Sequence, residues 1–329
     1  MRWTRSDDVV AHAANLSGWQ QQYDQLSGGA FRGELAEVWF DEVQVFRERT
    51  SHAVHQTCRI RPDTVWCGIT MTPDGSRIEG HVVGEGGVMV SGSGTEFELL
   101  TPDQHDIFGI VASRSALQTA AHTLGRPLSL DALSQPNWLS CDLTAHALLR
   151  RGLALLLGQA GNGDSCHDHA QARRFAQAAV LDTLLSVLAA PSADGHEGLS
   201  FDRRRRLVRQ ACDRVSSQPQ AIPTVPELCE HLHVSRRTLQ YAFETVIDSS
   251  PVVYLRTLRL NAARRDLLTG VAPSVQEAAG RHGFWSLSQF ASDYRRQFGE
   301  RPSQTLARAR SVLSSSPPRP AALPVPTLQ

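Results

Sequence analysis

Val234-Ser235-Arg236-Arg237-Thr238-Leu239-Gln240-Tyr241-Ala242-Phe243-Glu244-Thr245-Val246 is the stretch on which the reading of this 329-residue chain turns. Ser235 is a helix-capping type, because its hydroxyl accepts an orphan amide of the first turn. Leu239, Ala242, Phe243 and Val246 recur at the spacing of one helix face. Arg237, Tyr241 and Glu244 fall opposite, with Gln240 at the edge. Upstream, Thr224-Val225-Pro226-Glu227 has the spacing of a capping box. Leu228 and Leu232 continue that segment as a short helix, and His233-Val234 makes a turn. A short helix, a tight turn and a second helix with a polar, basic outer face predict a helix-turn-helix. One such pair also occurs in ordinary helical domains.

A second copy sharpens the reading. Ser274-Val275-Gln276-Glu277 starts another short helix, His282-Gly283-Phe284 turns, and Ser286 caps a helix from Leu287 to Phe298. Phe290, Tyr294 and Phe298 face inward; Ser288, Ser292 and Arg295 face out. Between the copies, Pro251 to Leu268 reads as a helix with proline in its first turn. It carries Leu255, Leu258 and Leu267, together with Arg256, Arg259, Arg264 and Arg265.

Charge divides the chain in the same place. Residues 1–200 hold 14 Arg against 23 Asp and Glu, a net of −9, whereas residues 201–310 hold 18 against 10, a net of +8. The C-terminal half therefore suits a polyanion. All 33 basic residues are arginine. Without lysine there is no Walker A loop, SxxK acyl-enzyme or Schiff-base chemistry. The run Arg203-Arg204-Arg205-Arg206 reads equally well as a phosphate grip or as the exposed start of a helix.

At this point the stretch from about 203 to 310 resembles the DNA-binding domain of the AraC/XylS family of bacterial regulators. The likeness is carried by Val234-Ser235-Arg236-Arg237-Thr238-Leu239, Ser250-Pro251-Val252-Val253-Tyr254-Leu255-Arg256 and Arg259-Leu260. It continues in Gly283-Phe284-Trp285-Ser286-Leu287-Ser288-Gln289-Phe290, Tyr294-Arg295, Phe298-Gly299 and Arg301-Pro302-Ser303. His233 departs from the glycine or asparagine usual in the first turn, and Tyr294 replaces the usual phenylalanine. The wording of the second unit is nearest the ethanolamine-operon regulator branch. The resemblance implies two recognition helices in successive major grooves. It also implies an activator working with RNA polymerase and controlled by a small-molecule effector on the N-terminal domain. The expected DNA-binding residues are Arg236, Arg237, Gln240, Tyr241, Glu244, Ser288, Ser292, Arg295 and Arg296. Of these, Arg237, Gln240 and Tyr241 are assigned to base edges, and Arg236, Arg295 and Arg296 to phosphate. Arg295 and Arg296 also fit a plain solvated face.

The N-terminal half is predicted to be β-rich over 31–113 and helical over 114–190. Ala36-Glu37-Val38-Trp39-Phe40 alternates, and glycine-rich turns such as Gly84-Glu85-Gly86-Gly87 separate short runs. The fold class is thus α+β. An N-terminal small, cupin-like β-barrel with helices precedes a C-terminal all-α domain of two helix-turn-helix units joined by a linker helix. Residues 1–190 are expected to form a sensor or dimerisation domain, 191–200 a linker, 201–310 the DNA-binding domain and 311–329 a disordered tail. Leucines between 142 and 190 suit a homodimer interface or plain internal packing. Trp39, Trp66, His81, Phe97, His105 and Phe108 suit a pocket or a core equally.

No cofactor or metal is expected. His52-x-x-His55 lacks the partners of a metal cupin, and Cys166, His167 and His169 lack a fourth ligand. The competing reading is a β-barrel enzyme, metal-dependent or not, with an appended DNA-binding domain. The polar start and the absence of a long apolar run predict a cytoplasmic chain off the membrane. Six scattered cysteines with no CxxC pair agree.

Overall fold

The computed structural model describes residues 1–71, 75–94, 96–131, 133–159, 170–188, 199–217 and 223–315. The loop with Cys166, His167 and His169, most of the expected linker and residues 316–329 of the expected tail lie outside them. The N-terminal half runs β1 (Arg2–Ser6), α1 (Val9–Ala13), β2 (Gln20–Gln25), β3 (Gly33–Trp39), β4 (Val43–Thr50), β5 (Val54–Arg59) and β6 (Thr64–Thr70). It continues with β7 (Arg77–Ile78), β8 (His81–Val82), β9 (Gly87–Gly92), β10 (Phe97–Thr101), β11 (His105–Ser113), α2 (Arg114–Thr123), β12 (Asn137–Ser140), α3 (Leu143–Gln159) and α4 (Ala170–Leu188).

The strands form two antiparallel sheets, ordered β1-β3-β4-β11-β6-β9-β12 and β2-β5-β10-β7-β8. Period-two alternation builds them. Along the central strands, Val45, Val65, Cys67, Val88, Val90, Phe108 and Ile110 point to one core, shared with buried residues of α2, α3 and α4. Phe46, Trp66, Met89, Ile107 and Val111 point to the other, shared with Tyr23, Val54, Ile78, Phe97 and Leu99 of the smaller sheet. The result is a sandwich with helices on its outer face. It corrects the expected barrel, because among the described residues each sheet ends in open edge strands. Short strands and glycine turns are common to both architectures.

Two further boundaries shift. Strands begin at Arg2 rather than near 31, and β12 interrupts the expected helical stretch. Leu149, Leu153, Leu157, Leu181, Leu184, Leu185 and Leu188 are buried within this domain, whereas Leu143, Leu148, Leu155 and Phe175 are exposed. Most of the leucine pattern therefore reports internal packing. Trp66, Phe97, His105 and Phe108 are buried too, with Trp66 stacked on Phe97 at 5.0 Å.

The C-terminal half is helical: α5 (Leu199–Ser217), α6 (Val225–His231), α7 (Arg236–Ile247), α8 (Pro251–Thr269), α9 (Val275–Arg281), α10 (Leu287–Phe298) and α11 (Pro302–Ser315). It holds two cores rather than one. Tyr254 and Leu255 of α8 join α5, α6 and α7. Leu260, Ala263 and Leu267 of the same helix join α9 and α10. One helix thus fixes two helix pairs in register, and its apolar residues are spread around it for that reason.

The two halves meet along α8. Strand β2 would be a bare edge, a liability in any sheet. Asn261 satisfies it: its Oδ1 accepts from Gln25 N, and its Nδ2 donates to Gln25 O, both at 2.9 Å. Arg265 pairs with Asp24, and Arg264 with Asp8 at 2.6 Å. Arg264, one of the basic residues noted on this helix, is buried.

Candidate nucleic-acid interface

Both helix pairs are built by their caps. Thr224 Oγ1 accepts Glu227 N, and Glu227 returns to Thr224 N, a complete capping box that holds the Glu227 carboxyl below its ordinary range. Ser274, Ser235 and Ser286 accept the amides of Glu277, Thr238 and Gln289. Each turn places the residue after the C-cap of the short helix in the left-handed region, His233 at φ 52° and Gly283 at φ 71°. Behind the second turn, His282 Nε2 lies 2.9 Å from Asp266 of α8; burial lowers the imidazole pKa despite that partner.

Leu239, Ala242, Phe243 and Val246 are buried, as are Phe290, Tyr294 and Phe298. The opposite faces meet solvent. Arg236 and Arg237 are exposed, with no ion-pair partner among the described residues. Tyr241 is exposed and lies under the Arg204 guanidinium, 4.7 Å from ring centre. Gln240 is half-buried and donates to exposed Glu244 at 2.6 Å, so its amide is already engaged. Ser288, Ser292 and Arg295 are exposed. Arg296 is exposed but bound to buried Asp293 at 2.7 Å, which also takes Arg256. Of the two expected phosphate arginines on α10, only Arg295 is unpaired among the described residues.

The arginine run lies within α5. Arg205 and Arg209 bind Glu79 of the sheet domain, and Arg204 covers Tyr241, leaving Arg203 and Arg206 exposed. Part of that charge is spent within the chain. Nothing in the local sequence could have paired positions more than a hundred residues apart.

The two pairs differ in one countable way. In the first, Val234 N donates to Cys229 O at 3.0 Å; in the second, Phe284 N donates to Ala279 O at 2.9 Å. These positions correspond with an offset of 50, but the caps Ser235 and Ser286 are offset by 51. Trp285 is the extra residue, and it is 90% exposed. The sequence reading quoted it without giving it a role; aligning the two turns would have isolated it.

The sheet domain touches the far ends of both outward-facing helices. Arg77 Nη1 reaches Thr245 O on α7 at 3.3 Å, and Gly29 N and Gln25 Nε2 reach Gln297 O on α10 at 3.0 and 2.9 Å. Between the halves lies a cleft of about 320 Å³ with Asp24, His55, Glu98, Asp213, Arg259 and Arg265 in its wall. Burial opposes charge on His55, but Glu98, 3.8 Å away, with Asp24 and Glu79, raises its pKa overall. His52 is bound to Ser51 instead, and no cluster of three metal-ligating side chains occurs among the described residues.

Comparison with known proteins agrees with this arrangement. Residues 228–308 match the helix-turn-helix domain family. The chain is 34% identical over 102 residues to the "Probable thc operon regulatory protein" of Rhodococcus erythropolis, covering 30% of this chain and 31% of that one. It is 36% identical over 86 residues to the "XylDLEGF operon transcriptional activator 2" of Pseudomonas putida, covering 26% and 55%. The chain thus spans a third to about half of these relatives. It is also 35% identical to the solved structure of a probable AraC family transcriptional regulator from Rhodopseudomonas palustris, covering 32% of this chain and 97% of that one, with a TM-score of 0.29. Residues 228–308 thus carry a helix-turn-helix domain, and this part of the chain is similar to AraC-type transcription regulators. No helix among the described residues is long and apolar enough to cross a membrane.

Proposed function

We propose that the chain is a sequence-specific transcription activator whose two helix-turn-helix units dock in successive major grooves of promoter DNA. The observation that carries this reading is the pair of outward-facing helices α7 and α10 seated on one shared helix, the first bearing Arg236 and Arg237, which have no ion-pair partner among the described residues. Arg237 is assigned to a guanine edge, where two donors can meet O6 and N7. Tyr241 and Glu244 stand beside it, and Gln240 contributes once it exchanges Glu244 for a base. Ser288 and Ser292 of the second unit offer hydroxyls, Arg295 a phosphate contact, and Arg296 a weaker one because Asp293 holds it. On this reading the first unit supplies most base discrimination, and RNA polymerase is the protein partner.

Residues 1–190 are proposed as the sensor and dimerisation domain, and residues 201–310, extended back to the start of α5, as the DNA-binding domain. The buried rings of Trp66 and Phe97 fill the middle of the sandwich, so the proposed effector site moves to the cleft between the halves. Asp24, Glu98 and Asp213 suit a small amine there, in keeping with the ethanolamine-operon wording of the second unit. An effector in that cleft sits beside the contacts that hold α7 and α10.

Footprinting of the full chain on the DNA beside its gene, with and without candidate amines, tests the reading. A protected stretch of two adjacent major grooves on one face is expected. Equal affinity for promoter and random competitor overturns it.

A further inference from the structure

The two units meet DNA with opposite chemistry at their leading edges. Counted from the caps, Arg236 and Arg237 of α7 correspond to Leu287 and Ser288 of α10. The first unit leads with two guanidinium groups. The second leads with Leu287, 44% exposed, preceded by the inserted Trp285 at 90%.

Among the described residues Trp285, 90% exposed, makes no ring contact or hydrogen bond that would tie it to the protein. A hydrophobic residue ahead of a helix commonly packs back on the first turns as a staple. Here that place is taken by Phe284, buried and 5.0 Å from the Phe290 ring, with the Arg259 guanidinium 5.3 Å from its own ring centre. In the first turn the corresponding Val234 is likewise packed on its core. The added residue displaces the indole outward, ahead of the exposed positions Ser288, Ser292 and Arg295. A fully exposed indole is a costly surface to leave in water, and aromatic side chains of this kind mark contact sites.

Resting on the DNA-binding reading above, we infer that Trp285, flanked by Leu287, is the second unit's principal DNA contact, made with an apolar surface of the duplex. Two such surfaces lie within a major groove and its walls: thymine 5-methyl groups and deoxyribose faces. Arg295, unpaired among the described residues and on the helix that Trp285 precedes, supplies the charge complementarity that brings this apolar tip against a polyanion.

The test uses the full chain and a duplex selected by it from a random pool. Affinity is measured across a salt series for the wild type, Trp285→Ala, Trp285→Phe and Arg295→Ala. Trp285→Ala is expected to weaken binding about tenfold with the slope of log affinity against log salt unchanged, since an apolar contact releases no counterions. Trp285→Phe is expected to recover most of the loss, and Arg295→Ala to reduce the slope by about one. Replacing thymine by deoxyuracil in the second half-site separates the two surfaces. A loss in the wild type that vanishes in Trp285→Ala assigns the indole to methyl groups. No effect, with a Trp285→Ala loss indifferent to sequence, assigns it to deoxyribose. Wild-type affinity in Trp285→Ala overturns the inference while leaving the DNA-binding reading intact. Failure of the wild type to enrich any duplex over competitor overturns both.

Discussion

Arg264 of α8 donates through Nε and Nη2 to Oδ2 of Asp8, at 2.9 and 2.6 Å, with both side chains buried. Asp8 caps α1 with its other oxygen, accepting Val10 N and Ala11 N. Glu300 meets the same guanidinium at 2.8 Å. A single carboxylate therefore starts a helix of the sheet domain and anchors the helix that joins the two DNA-facing units.

Asp8→Asn keeps the capping acceptor and removes the charge opposite Arg264. Breaking one partner of a buried pair strands the other, at a cost of several kcal/mol; with Glu300 remaining, we expect a loss of about 2–3 kcal/mol. Urea denaturation checks it. A double cycle with Arg264→Met should show strong coupling, because residues sharing one buried network are not additive. Additive losses would place the stability elsewhere.

Arg237 and Arg295 should fail differently. Arg237→Ala is expected to cost roughly 1–3 kcal/mol on the preferred duplex and to relax discrimination at one base pair. Arg295→Ala should weaken all duplexes alike. Binding to a panel of single-base variants separates these outcomes, and unchanged base preference in Arg237→Ala means that α7 is misplaced in the groove.

The readable parts of this chain were those whose physics is local. Ser235 and Ser286 fix helix starts, and Leu239, Phe243, Phe290 and Tyr294 fix inward faces, so α7 and α10 were legible to within a residue. The outward residues of the interface followed as their complement. Strand β2, Gln20-Gln21-Gln22-Tyr23-Asp24-Gln25, was not legible, because Asp24 and Gln25 are polar for the sake of Arg265, Asn261 and Gln297 across the junction. Sheet closure was equally hidden: alternation at Val65-Trp66-Cys67 shows that both faces are buried, not whether the sheet curls on itself. The engagement of Gln240 by Glu244 was available from their i, i+4 spacing. The sharing of Asp293 by Arg256 and Arg296 was only half available, because α8 enters it.

His105 opens β11 and is buried, and burial pushes its imidazole down to about 4 despite Glu48 and Asp106 nearby. In the unfolded chain it takes its proton near 6.5. Between those values the unfolded state binds a proton that the folded state refuses. Stability is therefore full above about pH 6.5 and falls as the pH drops towards 4, by about 3 kcal/mol in all. His55 and Glu79, both raised, act in the opposite sense. The difference between wild type and His105→Gln isolates the effect: the gap in unfolding free energy should change across pH 6.5 to 4 and be flat above.

His233 holds φ 52° in the first turn, where Gly283 holds 71° in the second. A side chain in that region brings its Cβ against the following carbonyl, at a cost of about 1–2 kcal/mol. Glycine escapes the clash but loses more freedom on folding. The exposed His233 ring earns no compensating contact among the described residues. His233→Gly should therefore stabilise the C-terminal domain by about 0.5–1 kcal/mol, with the turn bonds Val234 N to Cys229 O and His233 N to Glu230 O retained. A raised melting temperature with unchanged DNA affinity is the expected result. A stability gain accompanied by weaker binding would mean that the imidazole itself contacts DNA, and a loss of stability would mean that the turn is not left-handed.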